Sequence, residues 1–194
     1  DDGSEDRNTY LKLKKQFPNV IAIRLQKNSG KAKAIKEGLK RATSEYIALV
    51  DGDLSNVQPD EIENALRKIT HNPDIDMIIL SVVTDLMKKD LFRWYTILSG
   101  QRILRKSDLI NIYRNPFSGF QLEAAINDYM IKNNKKSYWV GSSIQNISKY
   151  RKWGKIEGIK RVFSLIKDFS DYTGWWGLIY QTLFFCRKEA DCVV

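Results

Sequence analysis

Histidine and cysteine are scarce: the 194 residues hold one histidine, His71, and two cysteines, Cys186 and Cys192. The cysteines form no zinc-binding spacing, so they read as reduced thiols and lean towards a cytosolic setting. The ending "DCVV" is one residue short of a prenylation box. His71 is expected in a surface loop and receives no role. Long apolar runs are also missing. The longest, Trp175 to Cys186, falls short of the roughly 20 residues a spanning helix needs. The sequence contains no secretory signal, internal repeat, low-complexity tract or recognised nucleic-acid motif. These absences leave a chain that is 43% hydrophobic and 28% charged, enough for one domain with a small appendage. Its 32 basic residues against 23 acidic ones give +9, which favours an anionic partner.

Periodicity divides the chain. Asn19–Leu25 ("NVIAIRL") is short and β-branched and predicts a strand. Ser29–Ser44 predicts a helix, with Ala34, Ile35, Leu39 and Ala42 on one side. Tyr46–Val50 is a continuous apolar run of the kind buried on both faces. Pro59 suits the first turn of a helix running to about Ile69 and stopping before Pro73. Asp76–Val83 predicts a third strand. The alternation argues for an α/β domain with a mainly parallel sheet flanked by helices. Further on, Leu91–Arg105 and Gly119–Asn134 predict helices, and Ser137–Ser142 a late strand.

One stretch carries chemistry. In "EYIALVDGDLSN" the apolar run stops at Asp51 and Asp53 with Gly52 between them. Ligands of a parallel sheet bind beyond the carboxyl ends of its strands. Two carboxylates one residue apart repel each other. A cluster of hard oxygens there suits Mg²⁺ or Mn²⁺ shared with substrate phosphates. A solvated Asp-Gly turn is the alternative.

Five pieces occur in order: "DDGS" at Asp1, "NSGK" at Asn28, the Asp51–Asp53 pair, "SGQR" at Ser99 and "GFQLE" at Gly119. Together they resemble family 2 glycosyltransferases of the GT-A fold, Rossmann-like in architecture. The look is of the dolichol-phosphate-mannose-synthase-like, polyprenyl-phosphate sugar transferase branch. The resemblance covers roughly Asp1 to Gly158. It implies a GT-A domain over 1–148 and a basic, aromatic helical tail over 149–194. Relatives carry a strand before "DDGS", so the resemblance implies that the N-terminal strand is missing here and that the chain is part of something longer. Some relatives also have Gln where this chain has Ser55, and often a histidine near Asn146.

The resemblance implies roles residue by residue. Asp51 and Asp53 would hold the metal on the diphosphate of a sugar nucleotide. Asp1 and Asp2 would lie near the base and ribose. Asn28, Gly30 and Lys31 open a helix, where free N–H groups favour anions; Lys31 or Lys33 would reach a phosphate. Arg102 and Arg105, three apart in an expected helix, would share a face, with Arg102 on a phosphate and Arg105 assisting. Glu123 would face the acceptor as base or as an orienting group. The implied reaction is inverting transfer to a lipid phosphate, or alternatively to a soluble phosphorylated or hydroxyl acceptor. A nucleotide-binding domain without turnover and a basic nucleic-acid-binding domain are the readings from other classes.

Lys149–Lys188 holds nine basic and three acidic residues, a net of +6. Ile156, Ile159, Val162, Phe163, Ile166 and Phe169 recur at helical spacing, followed by Trp175 and Trp176. This composition suits an amphipathic helix at a membrane interface, which the resemblance implies is the inner face; a helix packed on the core, or a dimer contact, is the alternative.

Overall fold

The computed structural model describes residues 1–83, 94–117, 121–146 and 155–190. Its centre is strand β3 (Met77–Val83). Met77, Ile78, Ile79 and Leu80 have no exposed area, as expected for a strand with helices on both faces. Beside it run β1 (Tyr46–Leu49), β2 (Leu54–Ser55), β4 (Arg102–Arg105), β5 (Ser137–Asn146) and β6 (Lys188–Glu189). The sheet order is β1-β4-β3-β5-β2, with β6 on β5.

Direction matters here. β3 and β5 are parallel, as are β5 and β6, and β1 shares their sense because both β1 and β3 oppose β4. That is the parallel set the alternation predicts. β4 is inserted against it, and β2 pairs antiparallel with β5. The sheet is therefore mixed.

The helices are α1 (Asn8–Gln16), α2 (Lys31–Leu39), α3 (Pro59–His71), α4 (Trp94–Leu98), α5 (Lys106–Ile112), α6 (Gln121–Lys132) and α7 (Lys155–Phe184). Pro59 sits in the first turn of α3, where Asp60 and Glu61 complement the helix dipole. Ala65 and Ile69 of α3 pack on one face of the sheet with Ile75, Ile78 and Ile103. The other face carries Ala32 and Leu39 of α2, Leu109 and Ile112 of α5, and Leu122 and Ile126 of α6. Helix α7 is broken at Gly174, whose φ of 72° lies outside the helical region. Its Phe169 and Leu178 pack with Ala124 of α6. Among the described residues no helix is long and apolar enough to cross a membrane.

Several sequence expectations need correction. Over the described part of Leu91–Arg105 the chain is not one helix: α4 ends at Leu98 and β4 begins at Arg102. The apolar centre of "RILR", Ile103 and Leu104, goes to the sheet. Asn19–Leu25 makes no strand. Its backbone pairing with Asp1 is a single bridge, Asp1 N to Ile23 O at 2.9 Å and Leu25 N to Asp1 O at 3.0 Å. Tyr46–Leu49 forms β1, in which Leu49 is buried and Ala48 exposed. His71 closes α3 instead of lying in a loop. Helix α1 escaped the sequence reading because none of its side chains is buried and its pattern has no core to answer to.

Candidate active site

The insertion of β4 builds the site. Leu49, at the end of β1, faces Arg102, at the start of β4. The exit of one strand therefore meets the entrance of the other. Asp51, two residues beyond Leu49, comes next to the Ser99–Gln101 approach. Gln101 Nε2 donates to Asp51 Oδ2 at 2.9 Å. Lys31, the first residue of α2, places its Nζ 2.6 Å from Asp51 Oδ1 and 2.7 Å from Glu123 Oε1. Four segments thus converge on one ammonium and two carboxylates.

The packing around this cluster is tight. A Cβ on Gly100 would lie 2.5 Å from Lys31 Nζ and 2.7 Å from Asp51 Oδ2, so only glycine leaves those two side chains where they are. Gly30 starts α2 from a φ of 83°, a conformation that glycine adopts without steric cost; its N–H donates to Asn28 Oδ1 at 3.2 Å. Burial by itself would lower the pKa of Lys31. Glu123 and Asp51 outweigh it, and the ammonium is held above its ordinary 10.5. Glu123 lies in the first turn of α6 and is buried; its Oε2 has no hydrogen-bond partner among the described residues.

The remaining predicted residues fall in different places. Asp53 lies in the exposed turn between β1 and β2. Asp1 Oδ1 accepts from the N–H groups of Gly3 and Ser4 at 3.1 and 2.9 Å, and Asp1 Oδ2 pairs with Arg24. The carbonyl of Asp2 accepts from Ser29 N at 3.2 Å, which ties the "DDGS" turn to the start of α2. The structure therefore brings Asp1, Asp2, Asn28, Gly30, Lys31, Asp51 and Glu123 to one end of the fold.

Arg102 and Arg105 do not belong to that group as expected. They lie on a strand, where positions three apart point to opposite faces. Arg102 has no exposed area. Its Nε donates to Ser99 O at 2.7 Å, its Nη2 to Ile97 O at 2.8 Å, and its Nη1 to Asn127 Oδ1. Burial pushes its pKa down to about 10, against the opposing influence of Glu123, Cys186 and Asp51. This guanidinium presents no open face to a phosphate; it joins α4, β4 and α6. Arg105 pairs with Glu45 and lies over the Tyr46 ring, at the far end of β1. Gln101 and Asn127 were missed. The alternation of strand positions around Arg102 was the available signal, and the helix reading concealed it.

Asp53 offers hard oxygens at the strand end, and Asp51 stands beside it with Lys31 and Gln101 on its two oxygens. The carboxylates of Asp53 and Asp51 are of the kind that hold a divalent cation completed by ligand phosphates; at Asp51 such a cation would take the place of the Lys31 ammonium. Among the described residues no group of three or more metal-ligating side chains is gathered.

An α/β fold of GT-A type is what these elements make, and solved structures share it. Glucosyl-3-phosphoglycerate synthase from Mycobacterium tuberculosis, in complex with Mn²⁺, UDP and glucosyl-3-phosphoglycerate, superposes with a TM-score of 0.62 at 15% identity, over 89% of this chain and 66% of that one. Mannosyl-3-phosphoglycerate synthase from Rubrobacter xylanophilus gives 0.56 at 14% identity, over 77% and 52%. The model of "Glycosyl transferase family 2" matches residues 1–134. The chain belongs to glycosyl transferase family 2. It is 32% identical over 131 residues to an uncharacterized protein of Methanocaldococcus jannaschii, covering 63% of this chain and 57% of that protein. It is also 32% identical over 78 residues to poly-beta-1,6-N-acetyl-D-glucosamine synthase of Staphylococcus aureus, 40% of this chain and 19% of that one. The chain thus spans a little over half of the first relative and a fifth of the second.

Proposed function

We propose that the chain transfers a sugar from a nucleotide-diphosphate sugar to a lipid phosphate, with Mg²⁺ or Mn²⁺ as cofactor, from the inner surface of a membrane. The convergence of Lys31, Asp51, Gln101 and Glu123 at the end of β1 supports the transfer. Asp53, in the exposed turn, would hold the metal with Asp51 assisting. Bound there, the metal would neutralise charge growing on the departing diphosphate. Lys31 adds a fixed positive charge beside the same strand end, already aimed before the ligand arrives. Gln101 and Lys31 fix the orientation of Asp51. The Oε2 of Glu123, buried and without a hydrogen-bond partner among the described residues, would accept a hydrogen bond from a hydroxyl of the sugar or the acceptor if ligand binding opens the cluster.

The lipid acceptor rests on α7. One side packs on α6, but Trp175, Trp176 and Phe163 remain 67%, 84% and 67% exposed. Rings of this size among basic residues suit the headgroup boundary. The specific case for the alternative, a soluble phosphorylated acceptor, is that the mycobacterial neighbour was solved with phosphoglyceric acid.

The donor half is tested by calorimetry with UDP. Binding should strengthen on adding Mn²⁺, and Asp53→Asn should remove that gain while the fold persists. Metal-independent binding, unchanged in the variant, would reject it. The membrane half is tested on the whole chain, because Phe169 and Leu178 are buried and deleting the tail would open the core. The chain should sediment with anionic vesicles, weaken with salt, and shift its tryptophan emission to the blue. Trp175→Ser/Trp176→Ser should lose these effects. Indifference to lipid charge would move the soluble acceptor ahead.

A further inference from the structure

A cavity of about 400 Å³ lies between α2 and the segment after α5. It falls within the size range of small-molecule sites. Its wall on α2 carries Lys33 and Lys36, three apart and so on one face. The opposite wall carries Tyr113, Arg114 and Phe117. Among the described residues three cations line it and no carboxylate does. Lys33 Nζ lies 3.9 Å from Glu37 Oε1, and that carboxylate is held at 2.8 Å by Lys40.

The cavity also has an aromatic side. The Tyr113 and Phe117 rings are 4.9 Å apart and tilted at 47°. The Lys36 ammonium lies 5.8 Å from the centre of the Tyr113 ring. Tyr113 Oη donates to Ala32 O at 2.8 Å, pinning this wall to the first turn of α2. Burial and the charge of Glu123 both raise the Tyr113 pKa, so the phenol keeps its proton and the pin holds at neutral pH. Ala32 follows Lys31 in the chain, which places the cavity beside the cluster of Lys31, Asp51 and Glu123.

We propose that this cavity binds a phosphate monoester that carries an apolar or ring group, the phosphate on Lys36 and Arg114 and the organic part on Tyr113 and Phe117. Two cations match the double charge that a monoester carries near neutral pH, and the rings reward an ester over inorganic phosphate. The ligand's role as the acceptor rests on the transfer reading above; its binding does not.

The test uses the full chain and phenyl phosphate followed by calorimetry, with phenol and inorganic phosphate as controls. Phenyl phosphate should bind one to one and more tightly than either control. The double variant Lys36→Gln/Arg114→Gln should weaken it about tenfold or more, since two charge-assisted contacts are lost. Phe117→Leu should weaken phenyl phosphate but not inorganic phosphate, a difference that a global loss of structure would not produce. Absence of phenyl phosphate binding, equal binding of phenol, or an unchanged affinity in the double variant would overturn the proposal. Vesicles containing phosphatidic acid, a lipid monoester, are compared with phosphatidylglycerol, a diester, as competitors. Competition by phosphatidic acid alone supports the site with a lipid source. Binding of phenyl phosphate without competition supports it with a soluble source. UDP with Mn²⁺ is titrated in parallel, so a failed donor site and an empty cavity are read separately.

Discussion

Two cations stand near Glu123, and the fold treats them in opposite ways. Arg102 is wholly buried and bonded to backbone carbonyls and an amide oxygen, none of them charged. Asn127 extends that junction by donating to Gln181 of α7 at 2.8 Å. Lys31 is only half-buried and bonded to two carboxylates. Arg102 is lowered in pKa by burial, while Lys31 is raised by its partners. Neutral, rigid acceptors make a cation part of the framework. Charged acceptors at a strand end make a cation that ligands can compete for. The comparison separates a structural residue from a binding residue when both are basic.

The largest way to break the comparison is Arg102→Ala. Three charge-assisted bonds and a large side-chain volume go together, so urea denaturation should show a loss of about 3 kcal/mol or more. A loss under about 1 kcal/mol would return Arg102 to a functional role. Next comes Lys31→Met, which leaves buried Glu123 without its partner. A stability loss of about 1–3 kcal/mol is expected at pH 7, together with weaker UDP–Mn²⁺ binding. Its sign with pH follows from the raised value. Protonated Lys31 stabilises the fold fully below 10.5 and loses that contribution as pH climbs through its higher folded value. The gap between wild type and Lys31→Met should therefore narrow in strong alkali; a gap that widens would contradict the carboxylate contacts.

Gly100→Ala sharpens the contrast further. The atoms its methyl would meet are the ends of Lys31 and Asp51, which can swing away. Stability should change by less than about 1 kcal/mol, while UDP–Mn²⁺ binding falls because the cluster is prised apart. The smallest effect belongs to Arg105→Ala, on the same strand as Arg102. Its partner Glu45 is largely exposed, and such pairs are worth about 0–1 kcal/mol. Equal losses at 102 and 105 would erase the distinction.

Much of this was legible in residue patterns. The apolar run ending at Asp51, the Pro59 helix start and the β3 core follow from local spacing. The membership of Lys31, Asp51 and Glu123 in one site was legible through five short motifs in order. The framework role of Arg102 was not. "LSGQRILR" fits a helical pattern as well as a strand, and only pairing with Tyr46–Leu49 decides it. The cavity at Tyr113 and Lys36 joins residues far apart in sequence, with no motif to bring them together.

The insertion of β4 against its neighbours has a consequence for folding. The contacts of the cluster span 92 residues between Lys31 and Glu123 and 50 between Asp51 and Gln101. No local segment can form them, and closing such loops costs entropy before the contacts are made. The site is therefore complete only when α2, β1, β4 and α6 have all docked. A molecule that binds it selects that state and stabilises all four segments together, by mass action. Ligand occupancy should thus raise the cooperativity of the whole fold, so that thermal unfolding sharpens and moves upward on binding.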